Sequence, residues 1–355
     1  MQNNKRIGWV DLARGAAVLS IIFSHSGYLP FSAYLSPVMH TFMIPVFLFT
    51  GGYFFHPGSD YLSFTQKKIK KLLIPYLIFF LISSVIWLFI RKGYSSSVLD
   101  VPYQTLFTGF LLGKGTMING PLWFLTTYFS SLILVRSLYY WWERRNLINK
   151  FFFSIFFILL FLILKKESVF TPFSYDLIFL FTGYLLLGKL LNIYRKRLFT
   201  GRFLFLTILV FIFGVFKNGE TNIYSRVVHN PILFVTNSLS GTFLVLYFSQ
   251  ILEKITGKYL EFIKYLGRNS LIYFSIHWPV MQLFTFILGL TDIINQTNST
   301  ATSTNFFIPT TGLSLPVTII RLTIFISFTL ISLLSGWLVI LLMKYVTAIT
   351  KKSRI

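Results

Sequence analysis

One helix-length stretch near the start of the chain combines an apolar sequence with three ionisable side chains. The segment from Trp9 to His25 is apolar enough to enter a membrane, yet it contains Asp11, Arg14 and His25. Charged groups at membrane depth are costly and commonly functional. Imidazole is well suited to proton transfer near neutral pH, and a guanidinium binds anions. The stretch therefore offers a candidate proton acceptor and a candidate anion-binding group.

The spacing of Arg14 and His25 places them on one side of a helix. They are eleven positions apart, which at about 100° per residue leaves them ~20° apart around the axis and roughly 16 Å apart along it. Simpler roles are open for each side chain: Arg14 can extend to the lipid headgroups, and His25 can pack against neighbouring helices. Asp11 lies three residues before Arg14, so these two side chains can pair on the helix.

The composition is that of an integral membrane protein. Of 355 residues, 55% are hydrophobic and only 12% are charged, with a mean hydropathy of +0.70. Soluble proteins carry about twice that share of charge. The absence of Cys excludes disulfides and an acyl-cysteine intermediate. The net charge of +22 fits basic loops beside an anionic leaflet better than nucleic-acid binding, because the charges lie at the ends of apolar segments.

Hydropathy predicts an all-α polytopic bundle of about ten spans, formed by a single domain over residues 1–355. With the N-terminus inside, 21 of the 32 Lys and Arg residues fall in cytoplasmic segments and 7 in external ones. This asymmetry predicts that both termini are cytoplasmic. We expect the membrane to be the plasma membrane. The predicted spans are residues 9–27, 38–54, 72–90, 121–140, 151–164, 176–193, 203–216, 232–252, 270–290 and 317–343.

Two further segments contain candidate binding residues at span ends. Lys68 and Lys71 belong to a basic cluster just before the third span. They are either a plain positive-inside anchor or a phosphate-binding site. Trp123 opens the fourth span on the outside. It is either an interfacial belt residue or a ring that stacks on a sugar or closes a tunnel.

The last two spans each hold one polar candidate. His277 lies in the middle of the ninth span, two residues before Pro279. A break in the helix ladder is tolerated where a helix lines a cavity, so His277 is either a site residue or a structural hydrogen-bonding group. Arg321 lies near the outer end of the last span and is positioned to meet an acceptor phosphate or sugar. The remaining His residues show no metal-ligand spacing, and we predict no metal site.

Taken in order, these motifs resemble the membrane acyltransferase-3 family, whose members O-acylate cell-surface polysaccharides. The fucose 4-O-acetylase-like branch looks nearest. The first span of the family carries an Arg and a His with ten residues between them. Arg14 and His25 have this spacing and resemble that signature. Its other elements resemble residues 42–53 (Phe-Met-Ile-Pro-Val-Phe-Leu-Phe-Thr-Gly-Gly-Tyr), 68–75 (Lys-Ile-Lys-Lys-Leu-Leu-Ile-Pro), 121–125 (Pro-Leu-Trp-Phe-Leu) and 266–273 (Leu-Gly-Arg-Asn-Ser-Leu-Ile-Tyr) followed by His277.

The chain departs from the family pattern at several places, and two of these departures bear on individual site residues. The second span often carries Phe-His-Met-Pro where this chain has Phe-Met-Ile-Pro, so His40 inherits no role from the resemblance. The entry to the third span usually carries Arg, and here it carries Lys68 and Lys71. A Lys ammonium is a point charge without the bidentate fork of Arg, so the phosphate geometry differs from the family pattern.

The resemblance implies a transmembrane O-acetyltransferase with acetyl-CoA as donor and a surface glycan or lipid-linked sugar as acceptor. Arg14, Lys68 and Lys71 would hold the donor. His25 would act as general base on the sugar hydroxyl or carry the acetyl group itself. The side chains expected to line the acceptor site or tunnel are Asp11, Trp123, His277 and Arg321.

Two other functions stay open at this level. A polysaccharide or lipid-linked sugar transporter would also be polytopic and basic inside, but it would need paired intramembrane carboxylates or inverted repeats, and the sequence offers neither. A catalytically silent assembly partner is the third possibility. No motif of the chain encodes the glycan, the hydroxyl that is modified, the size of the acyl group or the oligomeric state.

Overall fold

The computed structural model describes residues 7–26, 32–58, 60–90, 106–107, 109–110, 118–166, 169, 171–198, 201–255, 257–287 and 315–352. Over these ranges the regular secondary structure is helical, and the strand-like pairing is limited to one isolated bridge between Asn222 and Val227. The predicted all-α class is therefore confirmed. Side chains of a few helical residues, Arg321 among them, lie outside the described set.

The helices follow one another along the chain, as far as the structure describes it. Two turns of 3₁₀-helix, Gly120–Leu122 and Pro172–Ser174, precede two of them, and a π-helix, Ile69–Leu73, joins two others. The α-helices are α1 Gly8–His25, α2 Ser32–Phe42, α3 Pro45–Tyr53, α4 Tyr61–Lys68, α5 Ile74–Ile90, α6 Trp123–Glu143, α7 Leu147–Leu164, α8 Leu177–Leu198, α9 Gly201–Asn218, α10 Pro231–Glu253, α11 Lys258–Arg268, α12 Ser270–Ile287 and α13 Leu315–Lys352.

Each predicted span coincides with helical structure, although ten membrane crossings stay a prediction. Among the described residues, seven helical segments are long and apolar enough to cross a membrane. The helices α1, α6 and α9 do not meet that criterion. The seven segments are Tyr34–Tyr53, Tyr61–Ile90, Leu147–Leu164, Pro172–Ile193, Pro231–Glu253, Ser270–Ile287 and Leu322–Ala348.

Central position explains why α1 is less apolar than a lipid-facing span. It contacts α2, α3, α10, α11, α12 and α13. Twelve of its eighteen residues are buried, whereas most of α13 is exposed on the surface of the bundle. A helix that is surrounded by other helices can carry polar groups that would be costly against lipid. The segment with the candidate chemistry is thus enclosed by protein.

Two helix boundaries differ from the predicted spans. The third span begins at Tyr61 rather than at residue 72, because Asp60 caps the helix by accepting a hydrogen bond from the Ser63 amide at 2.6 Å, and the basic cluster itself is helical. The second span is divided by a turn at Met43 and Ile44 into α2 and α3. Hydropathy averaged over a span does not register either feature.

The short helix α11 was not predicted, and it packs directly against α1. The two main chains approach so closely that a side chain at Gly15 would overlap the Ile263 carbonyl, and one at Gly267 would overlap the Asp11 carbonyl. Asp11 Oδ2 also lies 3.2 Å from Arg268 Nε. This contact fixes the depth and rotation of α1 at the end of the bundle that holds the basic residues of α11. We call this end the basic end.

Candidate active site

A pair of histidines joins the far end of α1 to the middle of α12. Nδ1 of His25 lies 2.8 Å from Nε2 of His277. The ring planes are parallel to within 2° and the centroids are 5.1 Å apart. That separation equals the N···N distance plus the centroid-to-nitrogen distance in each ring. The two imidazoles are therefore coplanar, which is the geometry of a well-directed hydrogen bond.

The partners of His277 determine the direction of this hydrogen bond. Nδ1 of His277 lies 3.1 Å from the Tyr273 carbonyl, and a carbonyl only accepts, so Nδ1 carries the hydrogen. In a neutral ring Nε2 of His277 is then an acceptor, and Nδ1 of His25 must donate to it. This leaves Nε2 of His25 as the basic nitrogen. The arrangement suits a general base or a nucleophile whose tautomer is fixed by a partner.

The proline next to His277 leaves one main-chain carbonyl of α12 without its helical donor, and a side chain from another part of the chain replaces that donor. Pro279 has no N–H, so the Ser275 carbonyl loses the donor four residues later in the helix. Nδ2 of Asn119 donates to that carbonyl at 2.8 Å, and also to Ser83 Oγ at 2.9 Å. Asn119 is 2% exposed. It links α12, α5 and the 3₁₀-turn Gly120–Leu122, and it holds the segment of α12 that carries His277.

His25 lines a cavity of about 270 Å³ together with Trp123, Trp278 and His40; we call it the histidine cavity. Trp278 meets the His25 ring edge to face at 5.2 Å. Trp123, which is predicted to line the acceptor site or tunnel, is buried and lies on this cavity. Aromatic walls with a few directed polar groups are typical of small-molecule sites.

The segment between α9 and α10 forms another wall of the histidine cavity. Its residues Asn222, Ile223, Tyr224 and Ser225 line the cavity. The amide of Asn222 and the carbonyl of Val227 are 2.9 Å apart, and the reciprocal hydrogen bond is 3.0 Å. Burial raises the pKa of Tyr224, so its phenol stays protonated at physiological pH. We call residues 219–230 the covering segment.

A fully buried ion pair fixes the covering segment. Arg226, 0% exposed, donates through Nε to Asp176 Oδ2 at 2.9 Å and through Nη2 to Oδ1 at 2.8 Å. Thr171 also hydrogen-bonds Asp176. Arg226 has a φ of +59°, a strained conformation for a non-glycine residue that surrounding contacts must maintain. The bidentate pair ties this strained turn to the start of α8.

Arg14 lines a separate, smaller cavity of about 140 Å³ toward the basic end; we call it the arginine cavity. Its Nε donates to Thr50 Oγ1 at 2.9 Å. Phe124 and Phe274 line both cavities, with their ring centroids 5.3 Å apart. The sequence leads us to expect one passage from Arg14 to His25. The structure instead has two neighbouring cavities that share these two rings as a wall.

The other predicted site residues lie at different places. Asp11 pairs with Arg268, a contact between α1 and α11 rather than the predicted pairing with Arg14. Lys68 places its Nζ 5.0 Å above the Phe64 ring, and Lys71 is exposed in the π-helix, directly before Leu72 of the arginine cavity. Arg321 belongs to α13, but its predicted role falls outside the described side chains.

Several residues of this region were missed by sequence reasoning. Glu220 Oε1 lies 3.2 Å from His40 Nδ1, so His40, which was assigned no role, lies at the cavity with a carboxylate partner. The Asp176–Arg226 pair and Asn119 were also missed. Pro279 signals an unpaired carbonyl at Ser275, but no local pattern identifies the donor. Among the described residues there is no group of three or more His, Asp or Glu that could hold a metal ion.

The site and the fold together define an all-α membrane protein with an oriented imidazole at a cavity inside the bundle. A family model described as an acyltransferase domain, acyltransferase family 3, matches residues 7–341. The chain therefore belongs to this family and is a membrane acyltransferase. The comparisons with curated proteins and with solved structures gave no match. The placement of this chain in the fucose 4-O-acetylase-like branch stays a prediction.

Proposed function

We propose that this enzyme transfers an acetyl group from cytoplasmic acetyl-CoA to a hydroxyl of a cell-surface or lipid-linked polysaccharide, in the plasma membrane. The coplanar His25–His277 pair on the histidine cavity is the observation that carries the proposal. A donor that cannot cross the membrane and an acceptor outside it must meet within the protein. The histidine cavity at one end and the arginine cavity toward the other suit that requirement.

The donor side of the proposal rests on the basic end. Acetyl-CoA carries several phosphates, and Arg and Lys side chains bind phosphate through charge-assisted hydrogen bonds. Lys68 directly precedes the π-helix Ile69–Leu73, and Lys71 lies within it, directly before Leu72, which lines the arginine cavity. A π-helix inserted in a longer helix frequently marks a functional site. We assign the phosphates to Lys68 and Lys71 and the entry of the pantetheine arm to Arg14.

The shared wall of Phe124 and Phe274 is where donor and acceptor would meet. The spacing of about 16 Å between Arg14 and His25 is of the same order as the length of a pantetheine arm. The thioester would pass between the two rings, so the rings must move apart when the donor binds. Closed rings would keep a thioester in the arginine cavity apart from His25 and from water in the histidine cavity. This would limit wasteful hydrolysis of the thioester.

The chemistry then follows from the tautomer of His25. Nε2 of His25 removes the proton of an acceptor hydroxyl while the hydroxyl oxygen attacks the thioester carbonyl. The new bond is C–O, the C–S bond breaks, and CoA leaves as a thiolate that takes up the proton. The same nitrogen can instead take the acetyl group first and pass it to the sugar in a second step. Both routes require the His277 hydrogen bond and the same free nitrogen.

The acceptor side of the proposal rests on the histidine cavity. Trp123 and Trp278 offer flat apolar faces on which the C–H face of a sugar ring can lie, and Tyr224 and Ser225 add hydroxyl groups. The cavity is slightly smaller than the ~300–1,000 Å³ of drug-sized ligand pockets. That volume suits one sugar unit with a small acyl group rather than several units of a polymer.

The direct test replaces His25 in the full-length protein. In inverted membrane vesicles that contain the native glycan, labelled acetyl-CoA is supplied on the exposed cytoplasmic face and alkali-labile acetate on the glycan is counted. His25→Ala should lower transfer by about 10²–10⁴-fold, the usual contribution of a general base, with unchanged protein level. The matched control is His56→Ala, because His56 is exposed and lies outside both cavities. Transfer that survives in His25→Ala would refute the proposal.

A further inference from the structure

One buried guanidinium on α6 has no anionic partner among the described residues. Arg136 lies about two turns before the end of α6 and is 6% exposed. Its Nε has no hydrogen-bond partner in the described part of the chain, and no Asp or Glu there forms an ion pair with it. Its Cζ lies 4.9 Å from the ring centroid of Tyr140 and 5.8 Å from that of Tyr61. Such cation–π contacts offset part of the cost of burying the charge, but they supply no acceptor for the five N–H donors of a guanidinium.

The other buried arginine of the described side chains shows the usual solution. Arg226 binds both carboxylate oxygens of Asp176. The carboxylates at the ends of the two helices that surround Arg136 have other partners, because Asp60 caps α4 and Glu143 pairs with a lysine of α7. A buried charge is costly unless an opposite charge pairs with it. A bound ligand with an anionic group would supply the missing partner.

The two tyrosine rings beside Arg136 are held in place by hydrogen bonds. Tyr140 donates through its hydroxyl to the Gly58 carbonyl at 3.1 Å, and the Tyr61 hydroxyl lies 3.4 Å from Ser137 Oγ. Both tyrosines are nearly half exposed. Exposed aromatic faces are suited to stacking on a nucleic-acid base. We call Arg136, Tyr61 and Tyr140 the Arg136 cluster; it offers a charge for a phosphate and flat faces for a base.

The helix α6 connects the Arg136 cluster to the two cavities. Trp123 at its start lines the histidine cavity, and Leu125 lines the arginine cavity. Arg136 follows Leu125 by eleven residues, which places it ~20° away around the helix and roughly 16 Å further along it. The other wall agrees, since Tyr61 precedes Leu72 of the arginine cavity by eleven residues as well. The cluster therefore lies beyond the arginine cavity, on the side away from the histidine cavity.

Coenzyme A has a diphosphate next to its pantetheine arm and a 3′-phosphate on the ribose at its far end. With the diphosphate at Lys68 and Lys71, the 3′-phosphate lies further from the arginine cavity, where the Arg136 cluster is found. We propose that Arg136 binds the 3′-phosphate of the donor, with Tyr61 and Tyr140 beside the adenine. The enzyme then selects a 3′-phosphorylated nucleotide. This inference rests on the proposed use of acetyl-CoA, and Arg136 contributes to donor affinity without taking part in the transfer step.

The experiment compares two donors that differ only in that phosphate. The purified full-length protein in detergent is assayed with acetyl-CoA and with acetyl-dephospho-CoA, which lacks the 3′-phosphate. The acceptor is the cell's own glycan after mild alkali has removed its O-acetyl groups. The variants are Arg136→Gln and Arg136→Lys. The matched control is Arg144→Gln, because Arg144 is exposed and directly follows the same helix.

Binding of the 3′-phosphate predicts a clear donor preference. The unmodified protein should have a KM for acetyl-CoA about tenfold or more below that for acetyl-dephospho-CoA, the usual effect of charged hydrogen bonds. Arg136→Gln should raise the acetyl-CoA KM to that of acetyl-dephospho-CoA and change the latter less than about twofold. Arg136→Lys should be intermediate, because it keeps the charge but not the bidentate geometry. Arg144→Gln should keep the preference, and the acceptor KM should stay within about twofold throughout.

A binding measurement separates this inference from the transfer reaction. A ligand that binds the folded state raises its thermal stability. Adenosine 3′,5′-bisphosphate should therefore raise the midpoint of thermal unfolding of the unmodified protein and of His25→Ala, but not that of Arg136→Gln. Adenosine 5′-monophosphate should have a clearly smaller effect. If acyl transfer is not the function, this stabilisation still reports on Arg136.

Other results would overturn the proposal. Equal use of both donors by the unmodified protein would refute it even if the variants fail to fold. A rise of both donor KM values by the same factor in Arg136→Gln would show that Arg136 does not contact the 3′-phosphate. Stabilisation by anionic phospholipid that Arg136→Gln removes, with the donor preference intact, would assign the guanidinium to a lipid headgroup. Failure of the proposed transfer would instead appear as transfer that survives in His25→Ala.

Discussion

Replacement of His277 gives the sharpest test of how the imidazole pair works. His277 is proposed to act through His25 and not to touch substrate, so we class it as a positioning residue. His277→Leu removes the acceptor of the His25 hydrogen bond and leaves Nδ1–H of His25, a half-buried residue, without that partner. His277→Gln keeps an oxygen near the position of Nε2 and can preserve the bond.

The expected size of the effect follows from the contact. Leaving a buried donor without its partner costs about 1–3 kcal/mol. At 1.36 kcal/mol for each factor of ten in rate, this corresponds to a roughly 5- to 150-fold loss of kcat. The loss should fall on kcat because neither substrate needs to contact His277. His277→Gln should recover most of it, since the oxygen again fixes the tautomer with a basic Nε2 on His25.

The assay is glycan acetylation by the purified protein, with kcat and both KM values determined for each variant. His56→Leu, the same substitution at an exposed histidine, is the matched control. Thermal inactivation in detergent is recorded in parallel to separate loss of fold from loss of positioning. If His277→Leu keeps its normal kcat, or if the Gln variant is no better than the Leu variant, the proposed orientation of His25 is wrong. If His277→Gln is as inactive as His25→Ala, His277 itself carries the reaction.

Further substitutions, at Arg14 and at the Arg226–Asp176 pair, test the arginine cavity and the covering segment. Arg14→Ala should raise the KM for acetyl-CoA about tenfold with an unchanged acceptor KM. Arg14→Lys should be intermediate because it keeps the charge but not the bidentate geometry of the guanidinium. An unaltered KM for acetyl-CoA would show that Arg14 does not bind the donor. Arg226→Met should destabilise the protein by about 3 kcal/mol, because it leaves Asp176 without its buried partner. In thermal inactivation, Asp176→Asn combined with Arg226→Met should cost less than the two single losses together, and strict additivity would contradict the coupling.

The helices of the predicted spans were predictable because they lie on apolar runs between basic or polar segments. The boundaries that failed depend on local chemistry that hydropathy averages away. Asp60 starts α4 well before the apolar run, and Pro45 begins α3 after a two-residue turn. The helix α11 was missed because it is amphipathic and too short to span, with Glu261, Lys264 and Arg268 linked along one exposed side.

Only the part of the candidate site that lies on a single helix was predictable from the sequence. The periodicity of one helix was enough to relate Arg14 to His25. The contact between His25 and His277 joins residues 252 positions apart, and no local pattern encodes such a pairing. His40 was assigned no role because the family pattern places its histidine at another position of the second span. In the structure, His40 of α2 nevertheless lines the histidine cavity together with His25. The roles assigned to Arg14, Lys68, Lys71 and Trp123 stay predictions.

The long sequence separation within the imidazole pair has a consequence for biogenesis. α1 leaves the ribosome early, with His25 and Arg14 already in place, but α12 follows some 250 residues later. A nascent or truncated chain thus lacks the group that sets the tautomer of His25. Reactivity toward thioesters would begin only when the late helices insert and close against the first one. Incompletely assembled protein would then leave the cell's acetyl-CoA untouched.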